Sequence, residues 1–180
     1  TLSIVTARAR GPLHGRESKL AFGRAVLSNA VARSRLAGYL ERVVFHAGPG
    51  PTVFDGDAFD EFGLVRVGLD STNAEDALLA SGTIPLLASP VRDIAGAPAG
   101  FYWDGALVDY HLMLPYPRLT QAGSRRRLVF YPHFNDYVTP GWLDKHLPWR
   151  RAPRGHPWLD DMLLVAPSPA FLATLPHGKL

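Results

Sequence analysis

Apolar positions fall into short β-branched runs separated by two stretches with helical spacing. Residues 2–7 are apolar and β-branched, and predict a strand that starts almost at residue 1. No cap, turn or loop stands before it, so further polypeptide is expected upstream. Residues 8–16 form a Gly/Pro/Arg loop. Over residues 18–40, Leu20, Val26, Leu27, Ala30 and Val31 share one broad side, which Leu36 and Tyr39 extend. Arg24, Arg33, Arg35 and Arg42 lie mostly elsewhere. This spacing predicts an amphipathic helix packed on a sheet. A basic helix lying on a membrane is the alternative.

Residues 42–46 predict a second strand, broken by the Gly-Pro run at 47–51. That run is a poor phosphate cradle, because each proline removes an N–H donor. The acids Asp55, Asp57, Asp60 and Glu61 lack the spacing of a calcium loop and read as a surface turn. Residues 64–67 predict a strand. Ser71 or Thr72 can cap the next helix, and Thr72 with Glu75 has capping-box spacing. That helix covers 74–80, ends at Ser81-Gly82, and Pro85 prevents its resumption. Further strands are expected at 101–103, at 128–131 after the triple Arg125-Arg126-Arg127, and at 162–165, with a short helical or irregular tail at 171–175. No repeat, low-complexity tract or linker interrupts residues 1–180. Strands alternating with helices predict a single α/β domain with a mainly buried sheet.

Composition narrows the function classes. Apolar residues make up 47% of the chain and charged residues 19%, which suits a packed core. Cysteine is absent, which excludes disulfides and thiolate metal sites. No apolar run approaches the roughly 20 residues that span a bilayer. The net charge of +3 conceals an asymmetry. Residues 1–42 carry eight Lys or Arg against two acids, residues 43–118 three against ten, and residues 119–180 eight against four. Basic ends around an acidic middle suit an anionic surface, or are solvated faces of one domain.

The densest chemistry lies between Ser81 and Asp109. Ile84-Pro85 breaks the helical pattern. Phe101, Tyr102 and Trp103 form the strand, and Asp104-Gly105 ends it. A carboxylate there, backed by a glycine that permits unusual backbone angles, is suited to the lip of a site. The plain alternative is a hairpin whose Asp-Gly makes the turn.

The order Ala80-Ser81-Gly82-Thr83-Ile84-Pro85, then Pro90-Val91, then Tyr102-Trp103-Asp104-Gly105-Ala106 resembles the catalytic-aspartate segment of patatin-like phospholipases. It covers about 27 residues, a sixth of the chain. The strand at 2–7 and its following loop resemble the family more loosely. The resemblance implies a three-layer α/β/α sandwich. It implies acyl-ester hydrolysis on lipids by a Ser–Asp dyad, with no cofactor and no metal. A serine hydroxyl needs a base to accept its proton, and backbone N–H groups must meet the oxyanion. By the resemblance Asp104 is the base, and Gly105 and Ala106 form the turn that aims it. None of Ser3, Ser18, Ser28, Ser34, Ser71, Ser81, Ser89, Ser124 or Ser168 has a glycine two residues before it, so there is no Gly-x-Ser-x-Gly. A glycine-rich oxyanion loop is absent too. Family order puts both upstream of residue 1. Leu107-Val108-Asp109-Tyr110-His111 also departs from the Asn and Pro that the family often has after this turn. The chain is therefore expected to be the C-terminal catalytic portion of such a hydrolase, inactive by itself. The alternative is a non-catalytic relative that binds lipid or protein. A lipid or acyl-ester substrate, the upstream segment and a membrane surface are the expected partners. The cytoplasm or a membrane surface is the expected location.

Other constellations carry less. His111 beside Asp109 invites a His-dependent triad, but no elbow serine accompanies it; Asp109 is expected to hydrogen-bond within its loop. His133, Asp136, His146, His156 and His177 have no recognised metal spacing. Trp142, Trp149 and Trp158 lie among Lys145, Arg150, Arg151 and Arg154. They suit a membrane interface, or a Pro-rich segment that buries its tryptophans. No motif for nucleic acid accompanies the charge.

Overall fold

A computed structural model describes residues 1–14, 18–121, 128–153 and 155–178. Arg125, Arg126, Arg127 and Arg154 lie outside the described residues. The elements run β1 (Leu2–Ala9), α1 (Lys19–Val31), α2 (Arg33–Leu36), β2 (Leu40–Ala47), β3 (Leu64–Gly68), α3 (Ala74–Ser81), β4 (Val91–Arg92), β5 (Phe101–Asp104), α4 (Ala106–Asp109), α5 (Pro117–Gln121), β6 (Val129–Pro132), β7 (Met162–Val165) and α6 (Pro169–Leu172). The architecture is α/β, as the alternation of patterns implies.

Five strands form one mixed sheet in the order β3-β2-β1-β5-β4. β1 lies at its centre and runs antiparallel to both neighbours, with Leu2 opposite Ala47, Ala9 opposite Leu40 and Thr6 opposite Asp104. β3 runs parallel to β2, and β4 antiparallel to β5. The period-2 alternation of β5 divides its aromatics. Phe101 and Trp103 join Ala7, Ala9, Phe22 and Leu36 in one cluster. Tyr102 joins Ile4, Val43, Phe45 and the alanines Ala77 and Ala80 of α3 in another. β6 and β7 make a separate parallel pair, with Val129 and Met162 packed against Phe54 and Tyr116.

Two helical expectations are corrected. The pattern over 18–40 is two helices, broken at Ala32, whose backbone is extended (φ −155°, ψ 129°). More consequentially, α1 packs with the face opposite to its large aliphatic residues. Ala21, Phe22, Ala25 and Asn29 are buried, whereas Leu20, Leu27 and Val31 are 69%, 69% and 66% exposed. Polar tethers select this face. The Asn29 amide donates to the buried Asp144 carboxylate at 2.8 Å, and Arg150 donates to the Asn29 carbonyl at 3.1 Å. Turning α1 over would leave Asp144 without that donor and bury Arg24.

The Thr72–Glu75 capping box does not form. Thr72 Oγ1 donates to Asp70 Oδ1 at 2.6 Å, and Asn73 occupies the cap position of α3. Asn73 Oδ1 accepts from the Asp70 N–H at 3.0 Å, so a local turn takes the groups that the box needed. Among the described residues no helix is long and apolar enough to cross a membrane.

Candidate functional site

Asp104 is the last residue of β5, and the corner after α3 and the first residue of α4 fix it. Its N–H donates to the Thr83 carbonyl at 2.9 Å, which ties the corner after α3 to the end of the strand. Thr83 is itself held by its hydroxyl, which donates to the Leu79 carbonyl at 2.8 Å. The next residues, Ile84 and Pro85, then stand as a wall beside the carboxylate.

The Asp104-Gly105 pair does not make a hairpin turn. The chain passes straight from β5 into α4, and the Gly105 carbonyl accepts from the Val108 and Asp109 N–H groups at 3.0 and 2.8 Å. Gly105 has ordinary helical angles (φ −59°, ψ −20°), so unusual backbone freedom is not the reason for a glycine. Space is the reason: a Cβ at Gly105 would land on the Val5 carbonyl and lie 2.8 Å from Val5 Cγ1. The Ala106 N–H donates to Asp104 Oδ1 at 2.8 Å, which orients the carboxylate.

Asp104 is half-buried on a cavity of about 260 Å³ lined by Ile84, Pro85, Ala106, Leu107, Tyr110 and Trp142. Among the described residues no cation pairs with it. Loss of hydration in these apolar surroundings raises its pKa above the ordinary 3.8, and the Ala106 N–H opposes this. A carboxylate held at one oxygen, partly desolvated and unpaired, is equipped to accept a proton from a hydroxyl brought to it. No serine lines this cavity. Pro85 also borders a second cavity of about 240 Å³, with Leu13, Phe22, Leu87 and Trp103 among its walls and Ser18, Lys19 and Ser89 on its lining.

Asp109, five residues on, is in a different situation. It is not held by hydrogen bonds within its loop; it is buried against Arg42, which donates to it at 2.5 and 2.8 Å. Arg42 also reaches Asp60 at 2.7 and 3.1 Å, and its guanidinium lies 4.2 Å from the centre of the Phe59 ring. Burial works against the charge on Arg42. The field of Asp109 and the hydrogen bonds from Asp109 and Asp60 outweigh it, so the guanidinium keeps its proton more firmly than usual. Complete burial pushes Asp109 up, and Arg42 pulls the other way. Beside it Arg33 pairs with Asp144 at 3.1 Å and Glu61 at 3.3 Å. Asp60 is thus a counter-ion of the buried Arg42, and Glu61 pairs with Arg33 from an exposed position, whereas Asp55 and Asp57 lie exposed as a surface turn should. The signal for Asp60 was an arginine opening an apolar strand, a position that requires a buried acid.

His111 is not brought to Asp104. It is buried, its Nδ1 accepts from the Thr139 N–H at 3.0 Å, and its ring lies edge-on to His133 at 4.2 Å. Burial and the neighbouring His133 push its pKa down to about 4, so at neutral pH it is an uncharged packing group. Among the described residues no group of three His, Asp or Glu could hold a metal. The tryptophans divide. Trp142 lines the Asp104 cavity, with Lys145 Nζ 4.4 Å from its ring centre. Trp158 packs edge-on to Phe59 at 5.4 Å, whereas Trp149 is 72% exposed.

The chain matches no protein-family model, no curated protein and no solved structure.

Proposed function

We propose that this chain carries the general base of a patatin-like lipid acyl hydrolase, and that its α/β domain is part of that family's three-layer α/β/α sandwich. Asp104 is the base of a Ser–Asp dyad. Gly105 and Ala106 form its supporting turn. The nucleophilic serine and the oxyanion loop belong to residues upstream of this chain. The single observation that supports the reading most is the state of the Asp104 carboxylate: it is oriented by the Ala106 N–H, paired with no cation among the described residues, and set on an apolar cavity. In the reaction it would take the proton of the serine hydroxyl as the hydroxyl attacks the ester carbonyl, then return it to the departing alcohol. The substrate is a lipid acyl ester, and no cofactor or metal is required. A second reading has one observation in its favour, the absence of Gly-x-Ser-x-Gly from the 180 residues. In it the chain is a non-catalytic relative that binds lipid or protein.

Expression of the whole open reading frame that encodes this chain separates the two. Short-chain ester hydrolysis by that product, reduced about 10²- to 10⁴-fold by Asp104→Asn, is the expected result. Hydrolysis that survives Asp104→Asn, or a reading frame without an elbow serine, would overturn it. The 180 residues alone are expected to show no turnover.

A further inference from the structure

The outward face of α1 carries a stripe of large apolar side chains. Its inward side holds Ala21, Phe22 and Ala25, and its outward side holds Leu20, Leu27 and Val31 at the i, i+7, i+11 spacing that keeps residues on one stripe. A helix that buries one face and exposes large apolar side chains on the other has a second surface to be covered. The outward stripe does not end with the helix. Ser18 and Lys19, at its start, share a cavity lining with Leu86 and Leu87, which are 62% and 82% exposed. Leu86 is held in the left-handed region at φ +70°, a conformation that a leucine adopts at a steric cost. At the other end, the turn that bears Trp149 is anchored to α1 by Arg150. Exposed apolar side chains thus stand on α1 and on the loop 84–89, and the start of α1 and that loop border one cavity.

Charge identifies what covers it. Residues 18–40 contain Lys19, Arg24, Arg33 and Arg35 and no acid. Arg33 is turned inward to Asp144 and Glu61. Lys19, Arg24 and Arg35 are exposed and pair with no acid among the described residues, and on the helical wheel Lys19 and Arg24 flank the stripe on either side. Apolar side chains in the middle with long cationic ones at the margins suit the boundary between acyl chains and anionic head groups. The exposed leucines of α3 provide the contrast: Leu78 and Leu79 stand with Glu75 and Asp76, and an anionic surface would repel them.

We propose that the outward face of α1, with the loop 84–89 beside it, docks this domain on an anionic phospholipid bilayer. The docking goes beyond the hydrolase reading and does not need it. Its consequence for that reading is placement: Ile84 and Pro85 border the Asp104 cavity, so docking sets the cavity mouth near the lipid.

The test is co-sedimentation of the chain with phosphatidylcholine vesicles, with and without phosphatidylglycerol. The chain is expected to bind the anionic vesicles, more weakly as salt rises, and to leave the neutral ones largely unbound. Lys19→Gln with Arg24→Gln is expected to weaken binding about 20- to 30-fold, and Leu20→Asp with Leu27→Asp at least about tenfold. These side chains are exposed, so folding is expected to survive. Leu78→Asp on α3 and Asp104→Asn are expected to bind as the wild type does, which separates docking from catalysis. Equal binding by the Leu20/Leu27 variant and the wild type would overturn the proposal. So would a dimer that Leu27→Asp dissociates and that ignores vesicles, because the face would then be a protein interface.

Discussion

Asp104 and Asp109 stand five residues apart on one strand-to-helix passage, and the fold treats them oppositely. Asp109 is buried and gripped through both oxygens by Arg42, which in turn is held by Asp60. Asp104 has one backbone donor, a half-exposed position and no cation among the described residues. A carboxylate kept for stability is neutralised where it sits. Asp104 is left without a cationic partner among the described residues, which is the condition that the proposed role as a base requires. The two are linked: the ionic cluster behind α4 anchors the helix whose first N–H orients Asp104.

The largest expected effect falls on the stability side of this pair. Asp109→Ala leaves Arg42 buried without its bidentate partner, and is expected to cost about 3–5 kcal/mol in urea unfolding. If that variant does not fold, Arg42→Met combined with Asp60→Asn and Asp109→Leu supplies the check. Filling the space with apolar groups is expected to recover most of the loss, since the pair is replaced and not halved. A single Asp109→Ala variant as stable as the wild type would dissolve the contrast.

Gly105→Ala comes next. A methyl group directed at the Val5 carbonyl forces β1 and the start of α4 apart, at an expected cost of about 1–3 kcal/mol. Had the glycine served for a left-handed turn, a different substitution pattern would follow. At φ −59° alanine fits the backbone, and the penalty measured is purely one of space.

Smaller, and specific to Asp104, is a pH effect of known sign. Its pKa in the fold is raised, so the native state binds the proton more tightly than the unfolded chain. Its contribution is therefore most favourable below the ordinary 3.8, and is lost as pH rises through 3.8 to the raised value. Relative to Asp104→Asn, the wild type is expected to lose stability across that window and then hold a constant offset. The variant comparison is essential, because His111 works in the opposite direction. Its pKa is pushed down to about 4 from 6.5, so the fold loses stability as pH falls through that interval. Urea midpoints for both proteins between the two limits read the difference.

The strands were legible because apolar runs bounded by Gly and Pro leave few alternatives, and the observed β1, β2, β3, β5, β6 and β7 overlap those runs. The face of α1 was not legible. Leu20, Leu27 and Val31 outweigh Ala21 and Ala25 on any apolar count, but the orientation is decided by one amide, Asn29, meeting an acid 115 positions away. The Arg42–Asp60–Asp109 cluster was hidden for the same reason: its members come from a strand, a loop and a helix that only the fold brings together. Much of the surroundings of Asp104 is local in sequence. The Ile84-Pro85 wall, the turn and β5 lie within 27 residues and show in the order along the chain, whereas Trp142 and β1 come from outside that stretch. The reason for Gly105 was misread, because steric contact with β1 leaves no local mark.

The central claim is that Asp104 activates a serine, and serine reactivity measures it most directly. In the product of the whole reading frame, a fluorophosphonate probe is expected to label one serine, upstream of this chain, in a time-dependent manner. Asp104→Asn is expected to slow that labelling by about 10²-fold or more while the fold and the urea midpoint stay within about 0.5 kcal/mol of the wild type. Labelling at an undiminished rate in Asp104→Asn would contradict the account, and leave the unpaired carboxylate without a chemical role.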